Sequence, residues 1–353
     1  MGSPVKFEGV SEDLQKILDA EMDHVGPRRR AREAFKDIQL SIDHILFKMP
    51  QEGLKTKENI NAMPNLIVLN WLSFPYCSIV PFYQNRNAMP NLIIVVPPKL
   101  LFVSAMVTGI PAHFSWKACL AHKIGVATKF ASSGYGVFAM DYPGFGLSEG
   151  LHGYIENFDI LVEDVIEHYS KVKVDIMSVI ALKVHLKQPD AWNGAILVAP
   201  MCKIADDVVP PWLVTQILSG MAKLLPKLKL VPQKDLAELA FKDERKRKQT
   251  AYNIVSYKHK PRLGTALELL RTTNEIEENL EKVSLPILIL HGKEDKVTDP
   301  SVSQALFEKA NSRDKKLNLY ADAYHALLEG EPDETILQVL SDIISWLDQH
   351  CNC

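Results

Sequence analysis

The sequence predicts an α/β protein: a mostly parallel sheet flanked by helices, with a helical insertion past its middle. Three observations carry this expectation. Short, continuous apolar runs recur at residues 136–142, 194–200 and 285–291, the pattern of strands buried on both faces. Segments with apolar residues at helical spacing alternate with them. Residues 205–265, helical, polar and punctuated by proline, interrupt that alternation and read as an insertion over one edge of the sheet.

Composition agrees. The 353 residues are 47% hydrophobic and 24% charged, with a formal net charge of −3, which suits a globular protein with a sizeable core. Collagen, a coiled-coil rod and wholesale disorder are excluded. The near-neutral balance argues against nucleic acid as the main partner. Five cysteines, odd in number and scattered, do not make a secreted disulfide framework, and Cys351 and Cys353 lack metal-site spacing. Residues 1–10 carry no apolar signal core. The apolar stretches 66–80 and 92–110 are broken by polar residues and proline, short of the roughly 18–20 apolar residues that span a bilayer. The expectation is a soluble, cytoplasmic protein, with peripheral membrane contact left open.

The elements follow in order. Residues 12–18 suit an amphipathic helix. Pro27 opens a second, because proline at a helix start removes no hydrogen bond. The run Arg28-Arg29-Arg30 reads as a solvated face, an anionic-lipid patch being the alternative. Residues 1–56 therefore form an N-terminal helical extension. Residues 57–200 begin the core, of which 57–124 are atypical. There Asn61-Ala-Met-Pro-Asn-Leu-Ile67 recurs as Asn87-Ala-Met-Pro-Asn-Leu-Ile93. Two copies are too few for a repeat architecture, so a local duplication or a faulty gene model explains them better. Residues 92–96 and 100–107 each read as a buried strand. Next come a short helix at 125–132, the strand 136–142 and a glycine-rich loop at 143–153. An amphipathic helix at 157–171, a helix at 179–186 stopped by Pro189, and the strand 194–200 complete this part. Residues 201–265 form the helical insertion, within which the charged run 242–248 reads as solvated surface. Ligands in such folds bind beyond the carboxyl ends of the strands, so an insertion leaving at Pro200 would roof the site as a lid. Residues 266–353 return to the core with a strand at 285–291, a helix at 300–310, a strand at 316–320 and a closing helix at 334–350.

Two residues stand at successive strand ends. Asp295 follows the strand ending at Leu290, and His325 follows the strand ending at Tyr320. An acid and then a histidine in this order fit the Ser…Asp…His succession of α/β-hydrolases. The acid would hold the imidazole tautomer and the imidazole would take a nucleophile's proton. Taken singly, Asp295 also reads as a loop or cap carboxylate and His325 as an ordinary helix-start histidine. No metal-ligand cluster, phosphate loop or dinucleotide fingerprint is evident elsewhere.

Four segments extend the pattern: Asp141-Tyr-Pro-Gly-Phe-Gly-Leu-Ser-Glu-Gly150, Ala195-Ile-Leu-Val-Ala-Pro200, Leu290-His-Gly-Lys-Glu-Asp295 and Tyr324-His-Ala-Leu-Leu-Glu-Gly330. With these the chain resembles the monoacylglycerol lipase-like α/β-hydrolases, particularly the plant branch that includes caffeoylshikimate esterase. The resemblance covers residues 11–56 and 125–353. It implies a lid-capped serine hydrolase acting without a cofactor on carboxylic esters, monoacylglycerols or phenolic acyl esters. It also implies that Asp295 and His325 are two triad members and that residues 201–265 are the lid; contact of an amphipathic lid face with membranes stays open.

The nucleophile departs from the family pattern. The resemblance puts a Gly-x-Ser-x-Gly elbow just before the helix 179–186, where its positions fall on Lys173, Asp175 and Met177. Too few residues separate 171 from 179 for a strand and an elbow, as though a segment had been lost. Ser178 is the nucleophile placed first, although Ile176 and Ile180 flank it where a strained elbow needs small residues. Asp175 is an alternative, since carboxylates also form covalent intermediates. Gly146-Leu-Ser148-Glu-Gly150 matches the elbow pattern but lies on a loop rather than between strand and helix. The family's oxyanion motif, His-Gly-x-Gly, falls on His113-Phe114-Ser-Trp116, with both glycines replaced; one lost oxyanion donor lowers rate by about 10²–10³. The sequence thus supports either an ester hydrolase or a non-catalytic protein of the same fold that binds a ligand or partner.

Overall fold

The computed structural model of the chain describes residues 11–35, 93–94, 129–130, 133, 136–137, 141–170, 179–202, 211–231, 237–249, 254–255, 257 and 259–350. The repeated segments apart from Ile93, the strand expected at 100–107, the oxyanion positions His113, Phe114 and Trp116, the nucleophile candidates Asp175 and Ser178, and Cys351 and Cys353 lie outside the described residues.

Five strands are described. β1 (Ile93–Ile94) and β2 (Gly136–Val137) pair in parallel. β3 (Ala195–Val198), β4 (Ile287–Gly292) and β5 (Lys315–Tyr320) form a parallel sheet in the order β3-β4-β5. The helices, in chain order, are α1 (Glu12–Leu18), α2 (Val25–Ala34), α3 (Phe158–Ser170), α4 (Val179–Lys187), α5 (Trp212–Leu224), α6 (Ala237–Ala240), α7 (Glu244–Gln249), α8 (Leu263–Glu278), α9 (Pro300–Lys309) and α10 (Asp333–His350). Among the described residues no helix is long and apolar enough to cross a membrane.

β3 and β4 are buried at every position because both of their faces are covered, whereas β5, with Lys315, Lys316 and Asn318, is only partly covered. Side chains alternate along a strand. Ala195, Leu197, Ile287 and Ile289 therefore join a core with Val162 and Val165 of α3, Leu182 of α4, Ile276 of α8 and Leu306 of α9. Ile196, Val198, Leu288 and Leu290 face the opposite way, onto Val339, Leu340, Ile343 and Leu347 of α10. The latter recur at helical spacing and make one stripe. Each such side chain removed from water contributes about 1.5–3 kcal/mol.

Several expectations are corrected. α2 starts at Val25, so Pro27 lies within its first turn, where its missing N–H still has no intrahelical partner. Arg28 is not solvated: it is fully buried, and donates to the carbonyls of Met22, Asp23, Gly146 and Ser148. The glycine-rich loop turns the Gly146 and Ser148 carbonyls inward, where each needs a donor. Arg29 and Arg30 do face solvent. Within the charged run 242–248, Lys246 is buried and donates to the Glu331 carbonyl and the Asp333 carboxylate. α5 is apolar rather than polar, with Trp212, Leu213, Ile217 and Leu224 exposed. α8, unforeseen, begins inside the stretch read as insertion. Its inner face includes Thr265, Thr272 and Thr273, fully buried; threonines weaken the apolar signature of a core helix. The Thr265 hydroxyl donates to the Gly153 carbonyl and accepts from the Ile155 N–H.

Candidate active site

β4 and β5 are parallel neighbours, so their carboxyl ends open on the same edge of the sheet. The backbone closes that edge further: Lys293 N–H donates to the Tyr320 carbonyl (2.9 Å) and Glu294 N–H to the Ala323 carbonyl (3.0 Å). Gly292 permits the approach, because a side chain there would run into the carbonyls of Ala323 and Tyr324. Asp322 turns the chain with φ at 57°, in the left-handed region that Asp tolerates better than most residues.

The two sequence-selected residues meet there. His325 Nδ1 lies 2.7 Å from Asp295 Oδ2, with the two side chains 1% and 0% exposed. Asp295 Oδ1 accepts the N–H groups of Val297 (2.7 Å) and Thr298 (3.0 Å), and Oδ2 accepts the Thr298 hydroxyl (2.9 Å). Burial alone would push the Asp295 carboxyl up. The adjoining His325 and His291 outweigh it and hold the group well below the usual carboxylate range. An ionised Asp295 only accepts, so it selects the proton on Nδ1 of His325 and leaves a lone pair on Nε2. That Nε2 is buried and has no hydrogen-bond partner among the described residues. An oriented imidazole with one free basic nitrogen is the arrangement of a general base.

Ser148 sits elsewhere in the bonding scheme. Its hydroxyl donates to the Asp141 carbonyl at 2.5 Å and its own carbonyl accepts from Arg28, all within the buried glycine-rich loop. Cys202, past the end of β3, is a free buried thiol, and burial pushes it up to about 12. Sequence reasoning missed Thr298, His291 and Ser303 around Asp295. The Asp295 turn gives Thr298 a local signal. His291, inside an apolar strand, and Ser303, on a helix, carry none.

The family model "Serine aminopeptidase, S33" matches residues 120–333, well over half the chain and inclusive of Asp295 and His325. The chain belongs to this family. Among its relatives, caffeoylshikimate esterase of Arabidopsis thaliana is 33% identical over 242 residues, 64% of this chain and 72% of that protein. Monoglyceride lipase of Homo sapiens is 28% identical over 234 residues, 60% of this chain and 73% of that one. A soluble variant of the monoglyceride lipase of Saccharomyces cerevisiae superposes with a TM-score of 0.62 at 18% identity, covering 79% of this chain and 91% of its own. The monoacylglycerol lipase of Paleococcus ferrophilus superposes with a TM-score of 0.61 at 18% identity, covering 73% and 94%. This S33 chain has the α/β-hydrolase fold, and the two sequence relatives named above are an esterase and a lipase.

Proposed function

We propose that the chain hydrolyses small carboxylic esters, monoacylglycerols or phenolic acyl esters, through an acyl-enzyme. The observation that carries the reading is the buried Asp295–His325 pair, whose His325 Nε2 has no hydrogen-bond partner among the described residues. In this reading a serine hydroxyl adds to the ester carbonyl while Nε2 takes its proton. Collapse of the tetrahedral intermediate expels the alcohol, which receives that proton, and leaves an acyl-serine. Water then adds by the same route and releases the acid. Asp295 stabilises the imidazolium formed at each stage. Ser178 is the proposed nucleophile.

We assign residues 201–265 as the lid over this centre. The exposed apolar side chains of α5, Trp212, Leu213, Ile217 and Leu224, suit contact with a lipid surface. The names of the relatives, caffeoylshikimate esterase and monoglyceride lipase, support an ester substrate.

One observation favours a second reading, a non-catalytic protein that binds a ligand in the same place: Lys173, Asp175 and Met177 stand where the family's elbow belongs. Fluorophosphonate labelling, read by intact mass and peptide mapping, decides between the two. The hydrolase reading expects a serine adduct that maps the nucleophile and is lost in His325→Ala, along with about 10⁴–10⁶ in kcat. An intact mass larger than sequence plus adduct would mean that the expressed transcript retains a missing elbow. A mass equal to the sequence, with no serine labelled under conditions that label an active relative, would leave only the binding reading.

A further inference from the structure

Asp295 is approached by two imidazoles. His325 Nδ1 lies 2.7 Å from Oδ2, and His291 Nε2 lies 3.0 Å from the same oxygen. His291 belongs to β4 and is fully buried. Its Nε2 is also 3.1 Å from the Thr298 carbonyl oxygen. A carbonyl and a carboxylate only accept, so Nε2 of His291 carries hydrogen. On the far side of the ring, Nδ1 lies 2.7 Å from Oγ of Ser303, a fully buried residue of α9. With the ring neutral, Ser303 donates to Nδ1; with the ring protonated, Nδ1–H donates to Ser303. In either state Nε2 carries a hydrogen that the Thr298 carbonyl accepts, and it stands 3.0 Å from Oδ2 of Asp295.

We infer that His291, keyed by Ser303, is a positioning residue for the Asp295–His325 pair: its Nε2–H fixes Oδ2 of Asp295 in the orientation that meets His325. Two backbone N–H groups already hold Oδ1. Oδ2 is met by the Thr298 hydroxyl at 2.9 Å, by His291 Nε2 at 3.0 Å and by His325 Nδ1 at 2.7 Å. Without His291 the carboxylate loses a charge-assisted donor. Its remaining charge then falls more fully on the proton of His325, and the carboxylate is freer to turn. The titratable groups acting on Asp295 are His325 and His291. α9 brings the neutral Ser303, and the turn after β4 brings Thr298. Behind the His325 loop, Glu331 accepts the Tyr324 N–H, with Lys246 on its carbonyl and Lys242 over the Tyr324 ring.

The inference rests on the reading of Asp295 and His325 as a working pair, and its test does not require turnover. Proton NMR of the full-length protein would follow the His325 Nδ1–H resonance, assigned by its loss in His325→Gln, and the titration of that imidazole. His291→Ala is expected to displace the resonance and raise the titration midpoint, whereas His291→Gln, which restores an N–H donor, is expected to return both toward wild type. Where ester turnover is measurable, His291→Ala should lower kcat about tenfold or more with KM little changed, the rate equivalent of one charge-assisted hydrogen bond. A folded His291→Ala with an unaltered resonance and midpoint would overturn the inference, as would His291→Gln behaving like His291→Ala. Should His291→Ala not fold, Ser303→Ala carries the test: it is expected to shift the same resonance, and an unchanged spectrum refutes the proposal. A wild-type protein without esterase activity would defeat the hydrolase reading but leave the spectroscopic result standing.

Discussion

Arg28 joins two segments distant in sequence, donating to Met22 and Asp23 beside its own helix and to Gly146 and Ser148 of the glycine-rich loop, at 2.7–3.2 Å. Burial pushes its guanidinium down to about 10, against Asp141 and Glu149, which support the charge. It therefore stays charged at neutral pH. Arg28→Met fills the space and leaves the buried Gly146 and Ser148 carbonyls without this donor, so urea unfolding should show a loss of about 3 kcal/mol. His152 packs against this cluster, edge-on to Tyr257 at 5.2 Å, with Nε2 buried and without a hydrogen-bond partner among the described residues. Burial first, and then the neighbouring Arg28, push it down to about 3. It is a neutral imidazole in the folded protein.

At the scale of an element, β4 and α10 make separate demands. Gly292 closes β4 against the backbone of Ala323 and Tyr324. Gly292→Ala must part the two strand ends, and should lower the unfolding midpoint and displace the His325 resonance together. A lowered midpoint with the resonance unmoved would show that the strand end and the histidine loop are not coupled. α10 covers a whole sheet face, and Ile343 at its centre is fully buried. Ile343→Ala should cost about 2–5 kcal/mol in denaturant unfolding, from lost burial and the cavity left behind.

For the whole molecule, these buried groups set the response to acid. Histidines held neutral in the folded state bind protons only when the chain unfolds. Where the unfolded state binds more protons, stability rises with pH. For His152, the window runs from the ordinary 6.5 down to about 3, and His185 and His259 shift in the same direction. Stability should therefore fall as pH drops below about 6.5, by at most about 1.4 kcal/mol per pH unit for each proton. Asp295 acts lower: its folded pKa is depressed, so its contribution is complete above about 3.8 and is lost as pH falls further. Urea titrations at several pH values check this, and His152→Leu should flatten the slope between pH 6.5 and 4. An unflattened slope would assign the acid sensitivity to other groups.

What the sequence determined by itself was local. The run Ala195–Val198 and residues 287–290 are apolar at every position, which marks them as strands covered on both faces. The helices α3, α4, α9 and α10 were legible from their spacing and their stops. Asp295 and His325 were legible as an acid and a histidine at successive strand ends, because chain order alone places them there. What the tertiary structure decided was the partner of each buried polar group. Arg28 and Gly146 are 118 residues apart. The threonine face of α8 has no periodic apolar signature and meets Gly153 and Ile155 across the fold. His291 reads as one residue of a strand until Ser303 on one side and Asp295 on the other define its tautomer. Periodicity reports which side of an element is apolar, and that is a property of neighbours in sequence. Hydrogen bonds inside a core are made between residues that only packing brings together.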